Sequence, residues 1–487
     1  MTTRNEDRPR ARQQRAPGPL SAEYRLVTIA VIALITIIAF EAMAVSTAMP
    51  VVAAELHAVK SYGLAFSIML TAELLGTVLS GVWSDRRGPF QVLVVGQVLF
   101  ALGCVVAGLA GSFGVLLVGR AVAGLGGGLN VVALYVVAGR VYPESVRPRV
   151  FSWTSAAWVL PSLIGPPIAG WLTTTFSWRW VFLVVLAPIA ATFVIVLQQR
   201  GSIDGGLRGE AAAAAGRAPS PAPSPTTVSA SASVSASERR VVWLGLTIAV
   251  AAGLLQVGAE RLVPFSPAML GAAALGLAGV LLVYPRLVPA GTLRIRRGLP
   301  ATMVSRLLLS ATFNGSVTFV PLMLVAERHL SPTLAGAVLT VGALGWSFGS
   351  WVQGNPTFAD RKPQLVSVGG VFLTAGIGLL AIVAAVGLHW LVLAVGSVLT
   401  GLAMGLATSS TSVLTLALSP AEEHGRASSS LNLSDVLGAV LGISLSGAVF
   451  AALHDPNGSD TGVFVLMWAV LAGIASIVIL SGRRTRA

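Results

Sequence analysis

The sequence predicts an all-α integral membrane protein with fourteen transmembrane helices. Of its 487 residues, 55% are hydrophobic and 10% are charged, whereas a soluble protein has about 25% charged residues. Long apolar runs recur along nearly the whole chain, and Lys and Arg are concentrated in every second connection between them. This composition argues against a globular cytosolic enzyme.

The apolar runs have the length that a membrane span requires. About 20 helical residues, each rising about 1.5 Å, cross the hydrocarbon core of a bilayer. We predict fourteen such helices, near residues 26–50, 62–82, 91–111, 114–138, 149–174, 179–198, 241–259, 263–284, 300–324, 331–354, 364–387, 390–417, 427–452 and 462–481.

The basic residues test this count and set the orientation. If the N-terminus lies inside, 26 Lys and Arg side chains fall in inside connections and tails, and four lie outside, namely Lys60, Arg179, Arg261 and Arg328. This asymmetry follows the positive-inside rule. It also accounts for the formal net charge of +13 without nucleic acid as a partner. We expect a multi-pass protein of the cell membrane with both termini in the cytoplasm.

A polar break divides the predicted spans into six and eight. Residues 199–240 are rich in Ala, Ser and Pro and cannot bury a core, so we predict a disordered cytoplasmic linker. The other predicted segments are a disordered cytoplasmic tail (1–25), an N-terminal six-helix bundle (26–198), an inserted transmembrane helix pair (241–284), a C-terminal six-helix bundle (285–481) and a cytoplasmic tail (482–487). Alternatively, the pair is a re-entrant hairpin, which would leave twelve true spans.

The connection after the second predicted helix carries an ordered string of small and charged residues. The string G-x-x-S-D-R-R-G combines glycines, which permit tight turns, with charges that can pair. It resembles the signature loop of the major facilitator superfamily. The resemblance implies the major facilitator fold of two six-helix bundles, here with an inserted pair. It also implies a gating role for Gly81, Asp85, Arg86 and Gly88.

An arginine followed by two glycines marks the fourth predicted helix. Arg120, Gly124 and Gly126 resemble the R-x-x-x-G-x-G element of the same superfamily. A charged residue within a span is costly and indicates a functional site, while glycines let a neighbouring helix approach closely. We therefore predict a role for Arg120 in proton coupling.

The fifth predicted helix indicates a drug exporter. Its string G-P-P-I-A-G at 165–170 resembles the G-P-x-x-G-G element of proton-coupled drug exporters, with one alanine in place of a glycine. Proline bends a helix and glycine permits close packing, so Gly165, Pro166 and Gly170 are predicted to form a hinge. The string W-R-W-V-F at 178–182 resembles the one that follows this element in fourteen-span drug:proton antiporters.

The first predicted helix supplies the candidate proton carrier. Glu41 begins a string, E-A-M-A-V-S-T-A-M-P, that resembles the end of helix 1 in those antiporters, with glutamate in place of aspartate. A carboxyl group among apolar residues resists ionisation, and a nearby cation opposes that effect. Helical rise places Glu41 roughly 22 Å, and Arg120 roughly 21 Å, above the inner membrane surface. The resemblance implies that helices 1 and 4 both line the central cavity, so we expect contact between these two residues.

Other polar residues within spans are further candidates. Glu73 lies near the middle of helix 2 and could carry a second proton or bind a cationic substrate. Arg306 and Asp435 lie at similar depth in helices 9 and 13 and could form a structural or gating ion pair. Alternatively, Glu73 and Asp435 face a cytoplasmic vestibule and need no partner. Polarity alone makes Asn130 and Asn314 candidate cavity residues.

These resemblances imply a monomeric antiporter that exports lipophilic drugs or antibiotics, with the proton gradient as its energy source and no cofactor. Alternating access would rock the two bundles around a midplane cavity. Two other functions stay open, a proton-coupled importer of a polar nutrient or siderophore and a non-transporting membrane receptor or scaffold. We predict no catalytic residue and no metal site, because the sequence shows no nucleophile–base pair, metal cluster or phosphate loop, and Cys104 is its single cysteine.

Overall fold

The computed structural model describes residues 18–143, 145–204, 236–261, 266–420 and 423–486, and within these ranges it leaves out the side chains of Asp85, Pro148, Ser155, 236–239 and Val241. Most of the predicted N-terminal tail and most of the predicted linker, at 1–17 and 205–235, lie outside the described residues. Their predicted disorder therefore stays a prediction.

Fourteen long helical segments follow one another in the described part of the chain, at the positions that the sequence predicts. They are α1 (Arg25–Glu55), α2 (Leu64–Arg87), α3 (Pro89–Gly108), α4 (Phe113–Val141), α5 (Arg147–Thr175), α6 (Arg179–Leu183 and Leu186–Gln198), α7 (Ala236–Glu260), α8 (Pro267–Leu287), α9 (Leu299–Val317 and Val320–Ala326), α10 (Pro332–Gly354), α11 (Lys362–Val386), α12 (Trp390–Ala417), α13 (His424–Leu453) and α14 (Thr461–Arg483). The all-α fold class is confirmed.

Thirteen helices in the described part of the chain are long and apolar enough to cross a membrane. α5 is not among them, although it has 29 residues, because Pro161, Pro166 and Pro167 and several Ser, Thr and Trp residues dilute its hydropathy. α5 packs against α1 and α10, so protein covers part of its less apolar surface. The fourteen-helix topology thus includes one helix that hydropathy alone does not identify.

Two helices are broken where the sequence predicts continuous spans. α6 is interrupted at residues 184–185 and α9 at residues 318–319. Pro188 lies four residues after Val184, which is in the first break, and Pro321 lies four residues after Val317, which is just before the second break. Neither proline has the N–H that would bond to the carbonyl oxygen four residues earlier. Proline therefore explains both interruptions.

The predicted linker boundaries, 199–240, are wrong at both ends. Residues 200–204 and 236–240 are helical, so α7 begins at residue 236, five residues before its predicted start at 241. A helix need not end at the membrane surface, because water and the polar headgroups can solvate its exposed terminal turn. Hydropathy marks the apolar span, and the helix extends beyond it.

Glycines let the helix backbones approach closely within each bundle. A Cβ atom added to Gly124 of α4 would overlap the backbone of Met69 in α2. In the second bundle, a Cβ atom on Gly401 of α12 would overlap the backbone of Gly342 in α10. Small residues serve this purpose in membranes, where close packing holds helices together. The matching α2–α4 and α10–α12 contacts indicate an internal repeat.

The two bundles, α1–α6 and α9–α14, meet along two seams. At one seam α5 packs against α10, and at the other α2 meets α13. We call the side of the molecule that holds the start of α1 and the end of α14 the terminus side, and the opposite side the far side. The inserted helix α7 packs against both α2 and α13, and the hydroxyls of Tyr284 in α8 and Ser434 in α13 share a hydrogen bond of 2.8 Å. The inserted pair therefore contacts both bundles.

The closest approaches between the bundles lie on the far side. A Cβ atom added to Gly63, at the start of α2, would be 3.0 Å from the Cα atom of Gly447, near the end of α13. The Tyr62 hydroxyl donates to the carbonyl oxygen of Thr318, in the break of α9, at 3.0 Å. By contrast, α4 and α12 have their main contacts within their own bundles. The far side of the molecule is therefore closed.

Glu327 fastens the end of α9 to the start of α14 on the far side. Its carboxylate accepts hydrogen bonds from the backbone N–H of Asp460 at 2.9 Å and from the hydroxyls of Ser459 and Thr461 at 2.5 and 3.0 Å. Partial burial alone would raise the pKa of Glu327, but these bonds and nearby His329 outweigh it and hold the pKa below its usual range.

We expect Glu327→Gln to lower the free energy of unfolding by about 1 kcal/mol at neutral pH, because it weakens charge-assisted hydrogen bonds at a partly exposed site. Since the folded-state pKa is lowered, the contribution is complete above the unfolded-state pKa and is lost as the pH falls through the folded-state pKa. Thermal unfolding of both proteins in detergent measures this. The two stability curves should converge in acid, and a difference that is independent of pH would contradict the expectation.

Candidate functional site

Glu41 and Arg120 form a buried ion pair between α1 and α4. Arg120 Nη1 donates to Glu41 Oε1, and Arg120 Nε donates to the carbonyl oxygen of Ala65 in α2 at 3.1 Å. The exposed fraction is 0% for the Glu41 side chain and 3% for that of Arg120. The two residues that helical rise places at one level are thus in contact, at a point where α1, α2 and α4 meet.

The glycines after Arg120 explain how α4 presents this side chain. Gly124 lies against the backbone of Met69 in α2, and Gly126 lies against the backbone of Phe100 in α3, where in both cases an added Cβ atom would overlap. These contacts fix the rotation of α4 between its two neighbours. Arg120 lies one turn before Gly124 on the same helix face, so it points toward α2 and α1.

The ion pair leaves one carboxylate oxygen of Glu41 unused. Oε2 is buried and has no hydrogen-bond partner among the residues that the structure describes, and an unpaired buried acceptor is costly. Glu73 of α2 is partly buried, and its electrostatic environment includes both Glu41 and Arg120. The N-terminal bundle therefore holds two carboxyl groups and one guanidinium in a single electrostatic cluster.

A second ion pair, Arg306–Asp435, joins α9 to α13. Two guanidinium nitrogens donate to the two carboxylate oxygens at 2.8 and 3.1 Å. Arg306 Nη1 also donates to the Thr408 carbonyl oxygen at 2.8 Å and to the Thr411 hydroxyl at 3.3 Å, both in α12. The exposed fractions are 16% for Arg306 and 30% for Asp435. The structure thus shows the ion pair that the sequence predicts, and Asp435 does have a partner.

We expect Asp435→Asn to lower the free energy of unfolding by about 1–2 kcal/mol, because it removes the counter-ion of Arg306 at a partly exposed site. Thermal unfolding in detergent of Asp435→Asn, Arg306→Gln and the double variant measures the coupling between the two residues. The double variant should lose less stability than the two single losses combined. Losses that simply add would contradict a direct interaction.

The two asparagines that were predicted to line a cavity have different surroundings. Asn130 of α4 is fully buried against Gly96 of α3, and neither of its side-chain polar atoms has a hydrogen-bond partner among the described residues. It faces a helix of its own bundle, which corrects the prediction, because polarity does not determine which side of a helix faces the seam. Asn314 of α9 is partly exposed and donates to the Ser310 carbonyl oxygen at 2.9 Å.

The signature string lies at the terminus-side end of α2. Asp85 and Arg86 belong to the last turn of α2, and Gly88 follows with a φ of 82°, which glycine adopts without strain. A Cβ atom added to Gly81 would have no atom within 4 Å, so Gly81 faces open space. Arg86 and Arg87 are exposed at a helix C-terminus, where positive charge is favourable. The Asp85 side chain is not described, so its pairing stays a prediction.

The G-P-P-I-A-G string of α5 lies at the seam with α10. A Cβ atom added to Gly170 would overlap Thr333 Cα and lie 2.7 Å from Thr333 N. The carbonyl oxygen of Pro166 is equally close to Gly336, at 2.7 Å from an added Cβ atom. Gly165 instead faces α1, where the nearest atom would be 3.5 Å from an added Cβ atom. Gly170 and Pro166 therefore contact the second bundle, and Gly165 packs within the first.

A carboxylate that the sequence analysis missed explains the W-R-W-V-F string. Glu55, at the end of α1, accepts hydrogen bonds from Trp178 Nε1 and Arg179 Nη1, both at 2.7 Å. The Arg179 guanidinium also lies 4.3 Å from the centroid of the Trp178 ring. These contacts fasten α1 to α6 on the far side. Opposite charges at the far ends of two spans are a signal for such a pair, although the two residues are 124 positions apart.

Two helical bundles with an inserted pair, and an ion pair inside the first bundle, are features that can be compared with known proteins. The family model described as Major Facilitator Superfamily matches residues 31–392. The chain belongs to the Major Facilitator Superfamily. The prediction of this family from the strings in α2, α4 and α5 is therefore confirmed.

Known proteins resemble the chain at low sequence identity. The chain is 25% identical over 451 residues to the multidrug transporter protein MdtP of Bacillus subtilis (strain 168), covering 89% of this chain and 76% of MdtP. It is 27% identical over 172 residues to the multidrug efflux pump SdrM of Staphylococcus aureus (strain N315), covering 35% of this chain and 38% of SdrM. A crystal structure of the peptide transporter POT in complex with sulfate has a TM-score of 0.65 at 15% identity and covers 93% of each chain.

Family membership makes this protein a multi-pass membrane transporter of small substrates and not an enzyme. The structural likeness to the peptide transporter POT concerns the fold alone, at 15% identity. In the part of the chain that the structure describes, no three His, Cys, Asp or Glu side chains are grouped as a metal site requires.

Proposed function

We propose that this transporter exports lipophilic drugs from the cytoplasm in exchange for protons. The observation that carries the proposal is the buried Glu41–Arg120 pair, in which a carboxyl group inside a span keeps one oxygen without a described partner. The multidrug transporters MdtP and SdrM, which the chain resembles, supply the class of substrate.

Proton binding to Glu41 would break this pair. A carboxylate buried so deeply is tolerated beside a cation, so Arg120 stabilises the deprotonated form. A proton on Glu41 removes the attraction, and Arg120 then retains the Ala65 carbonyl oxygen as its described partner. A buried charge left in this way favours a rearrangement of α4 against α1. Proton binding and helix arrangement are therefore coupled, as antiport requires.

We infer that the terminus side faces the cytoplasm, because the connections on that side carry most of the Lys and Arg residues. With this orientation, the far-side contacts of α2 with α13 and of α5 with α10 close the outer end. In this proposal the structure represents an inward-facing state in which Glu41 is paired with Arg120 and deprotonated. An exporter accepts its substrate from the cytoplasm in such a state.

A partly exposed aromatic pair of the second bundle suits a lipophilic substrate, cationic or neutral. Phe313 of α9 and Trp346 of α10 pack edge to face with ring centroids 5.4 Å apart, and Trp346 is 37% exposed. Aromatic rings bind other rings and cations. Glu73 and Asp435 are both partly exposed and add negative charge.

A proton-coupled importer of a polar nutrient is the second candidate, because the chain shares its fold with the peptide transporter POT. The same ion pair could couple protons to import. The relatives named as multidrug transporters and the glycine contact of α5 with α10 favour export. A receptor or scaffold would have no need for a buried Glu41–Arg120 pair.

Transport into proteoliposomes distinguishes export from import, because the polarity of the gradient identifies the coupling whatever the orientation of the protein. An antiporter accumulates tetraphenylphosphonium when the lumen is acidic and protons leave. An importer accumulates a dipeptide when the exterior is acidic. The proposal is supported if tetraphenylphosphonium accumulates to a higher level than in protein-free liposomes, and does so only when the lumen is acidic. Dipeptide uptake driven by an acidic exterior would overturn it.

A further inference from the structure

A buried carboxyl group of the inserted helix pair lies in the far-side seam. Glu260 is the last residue of α7 and is 3% exposed. Its Oε1 atom would be 3.0 Å from a Cβ atom added to Gly63 of α2, and a Cβ atom on Gly447 of α13 would overlap it. Neither carboxyl oxygen has a hydrogen bond of good geometry among the described residues, and the backbone N–H of Leu64, at the start of α2, is the polar group close to it. Glu260 therefore lies between the two bundles at the close approach of α2 and α13.

Glu260 belongs to a polar face of α7. Gln256, one turn earlier, donates to the Ser67 hydroxyl and accepts from the Thr71 hydroxyl at 3.2 Å, both in α2. Residues four positions apart lie on one face of a helix, so Glu260 points toward the start of α2. Gln256 has side-chain hydrogen-bond partners in the closed seam, whereas Glu260 has only the Leu64 backbone N–H nearby, so Glu260 is the less well satisfied of the two groups.

Glu260 forms no ion pair with a described residue, and the nearest cation that acts on its carboxyl group is the exposed Arg261, the next residue in the chain. The charged and titratable residues on the neighbouring segments are Lys60, Tyr62, Arg261, His454, Asp455 and Asp460. Arg261 is exposed, the Tyr62 hydroxyl donates to Thr318, and His454 pairs with Asp460 at 2.7 Å. α8 meets α7 there through Met269 and Ala273, and α9 presents Phe319, so both contribute apolar surface. The first N–H groups of α2 add a partial positive charge.

We propose that Glu260 is a proton-binding site that controls the opening of the far side. While the seam is closed, the carboxyl group is neutral, because burying an ionised carboxylate without a counter-ion is costly. When α2 and α13 separate, water reaches Glu260 and its proton can leave. Acid on the far side therefore favours closure. This rests on the alternating-access motion of the proposed function, and on neither a drug substrate nor coupling through Glu41.

Distances between spin labels across the far side test this site without any substrate. Cys104→Ala removes the single cysteine, and labels at Leu109→Cys and Val386→Cys, which are 67% and 69% exposed at the far ends of α3 and α11, report on separation of the bundles. The purified full chain in nanodiscs should show a separated population that rises several-fold between about pH 5 and about pH 9.

The Glu260→Gln protein should keep the short distance throughout that pH range. Glu260→Asp still titrates, so it should retain the pH dependence with a shifted midpoint, and it decides the question if Glu260→Gln fails to fold. Glu327→Gln, at a hydrogen-bonded far-side carboxylate, is the matched control and should behave like the wild type. A wild-type distance independent of pH, an unchanged profile in Glu260→Gln, or an unshifted midpoint in Glu260→Asp would overturn the proposal.

Discussion

Glu41→Gln should reduce proton-driven drug accumulation to the level of protein-free liposomes. Glutamine keeps the size and polarity of the side chain but cannot gain or lose a proton. Arg120 then faces a neutral partner at all times, so the arrangement of α1 and α4 no longer depends on protonation. We expect the variant to reach the membrane and still bind substrate, because the change leaves the packing of α1 intact. Accumulation of tetraphenylphosphonium with an acidic lumen is the measurement.

Glu55→Gln is the matched control for this experiment. Glu55 lies on the same helix and also contacts an arginine, but its side chain is 47% exposed at the far end of α1. Exposed pairs contribute little to stability, so Glu55→Gln should retain most of the transport. If Glu41→Gln transports at the wild-type rate, Glu41 is not the proton carrier and Glu73 becomes the leading candidate.

Gly170→Ala should lower transport by about tenfold or more, because an overpacked contact costs about 1–3 kcal/mol. The added methyl group would overlap Thr333 Cα and lie 2.7 Å from Thr333 N, and backbone atoms at a helix start cannot move aside cheaply. The variant should fold, since the overlap arises across the seam and not within a bundle. It should favour the state in which the far side is open. Substrate uptake and the far-side label distances both measure this.

Gly165→Ala provides the comparison in the same string. Its added methyl group would meet Met43 Cβ at 3.5 Å, an ordinary van der Waals distance. The chemical change is identical to that in Gly170→Ala. The two variants differ in the atoms that the added methyl group meets. Gly165→Ala should therefore transport at close to the wild-type rate. Equal losses of transport in the two variants would show that α5 needs these glycines for helix flexibility and not for the contact with α10.

The ion pairs show how far a sequence can specify a site in a membrane protein. Glu41 and Arg120, and also Arg306 and Asp435, lie at matching depths, and the structure brings each pair into contact. A charge inside a span has few ways to avoid apolar surroundings, so equal depth is informative. Depth does not give the rotation of a helix. Asn130 is therefore buried against α3 even though its depth fits a cavity position.

The residues that sequence analysis missed lie at the ends of spans. Glu55 and Glu260 are the last residues of α1 and α7, where hydropathy treats a charged residue as facing water. Whether such a residue is exposed depends on which helix ends beside it. Glu260 is buried because the start of α2 and the end of α13 converge there, although Gly63 and Gly447 are far apart in the sequence. No pattern within α7 predicts that convergence.

Proton release on drug binding by the purified full-length protein tests the central claim most directly. Tetraphenylphosphonium added to wild type in weakly buffered detergent should release protons, because substrate binding favours the state in which Glu41 is paired with Arg120 and deprotonated. The Glu41→Gln protein, compared at equal substrate occupancy, should release far fewer protons, while the Glu55→Gln control should match the wild type. Equal release by Glu41→Gln and wild type would contradict the assignment of Glu41 as the group that couples protons to transport.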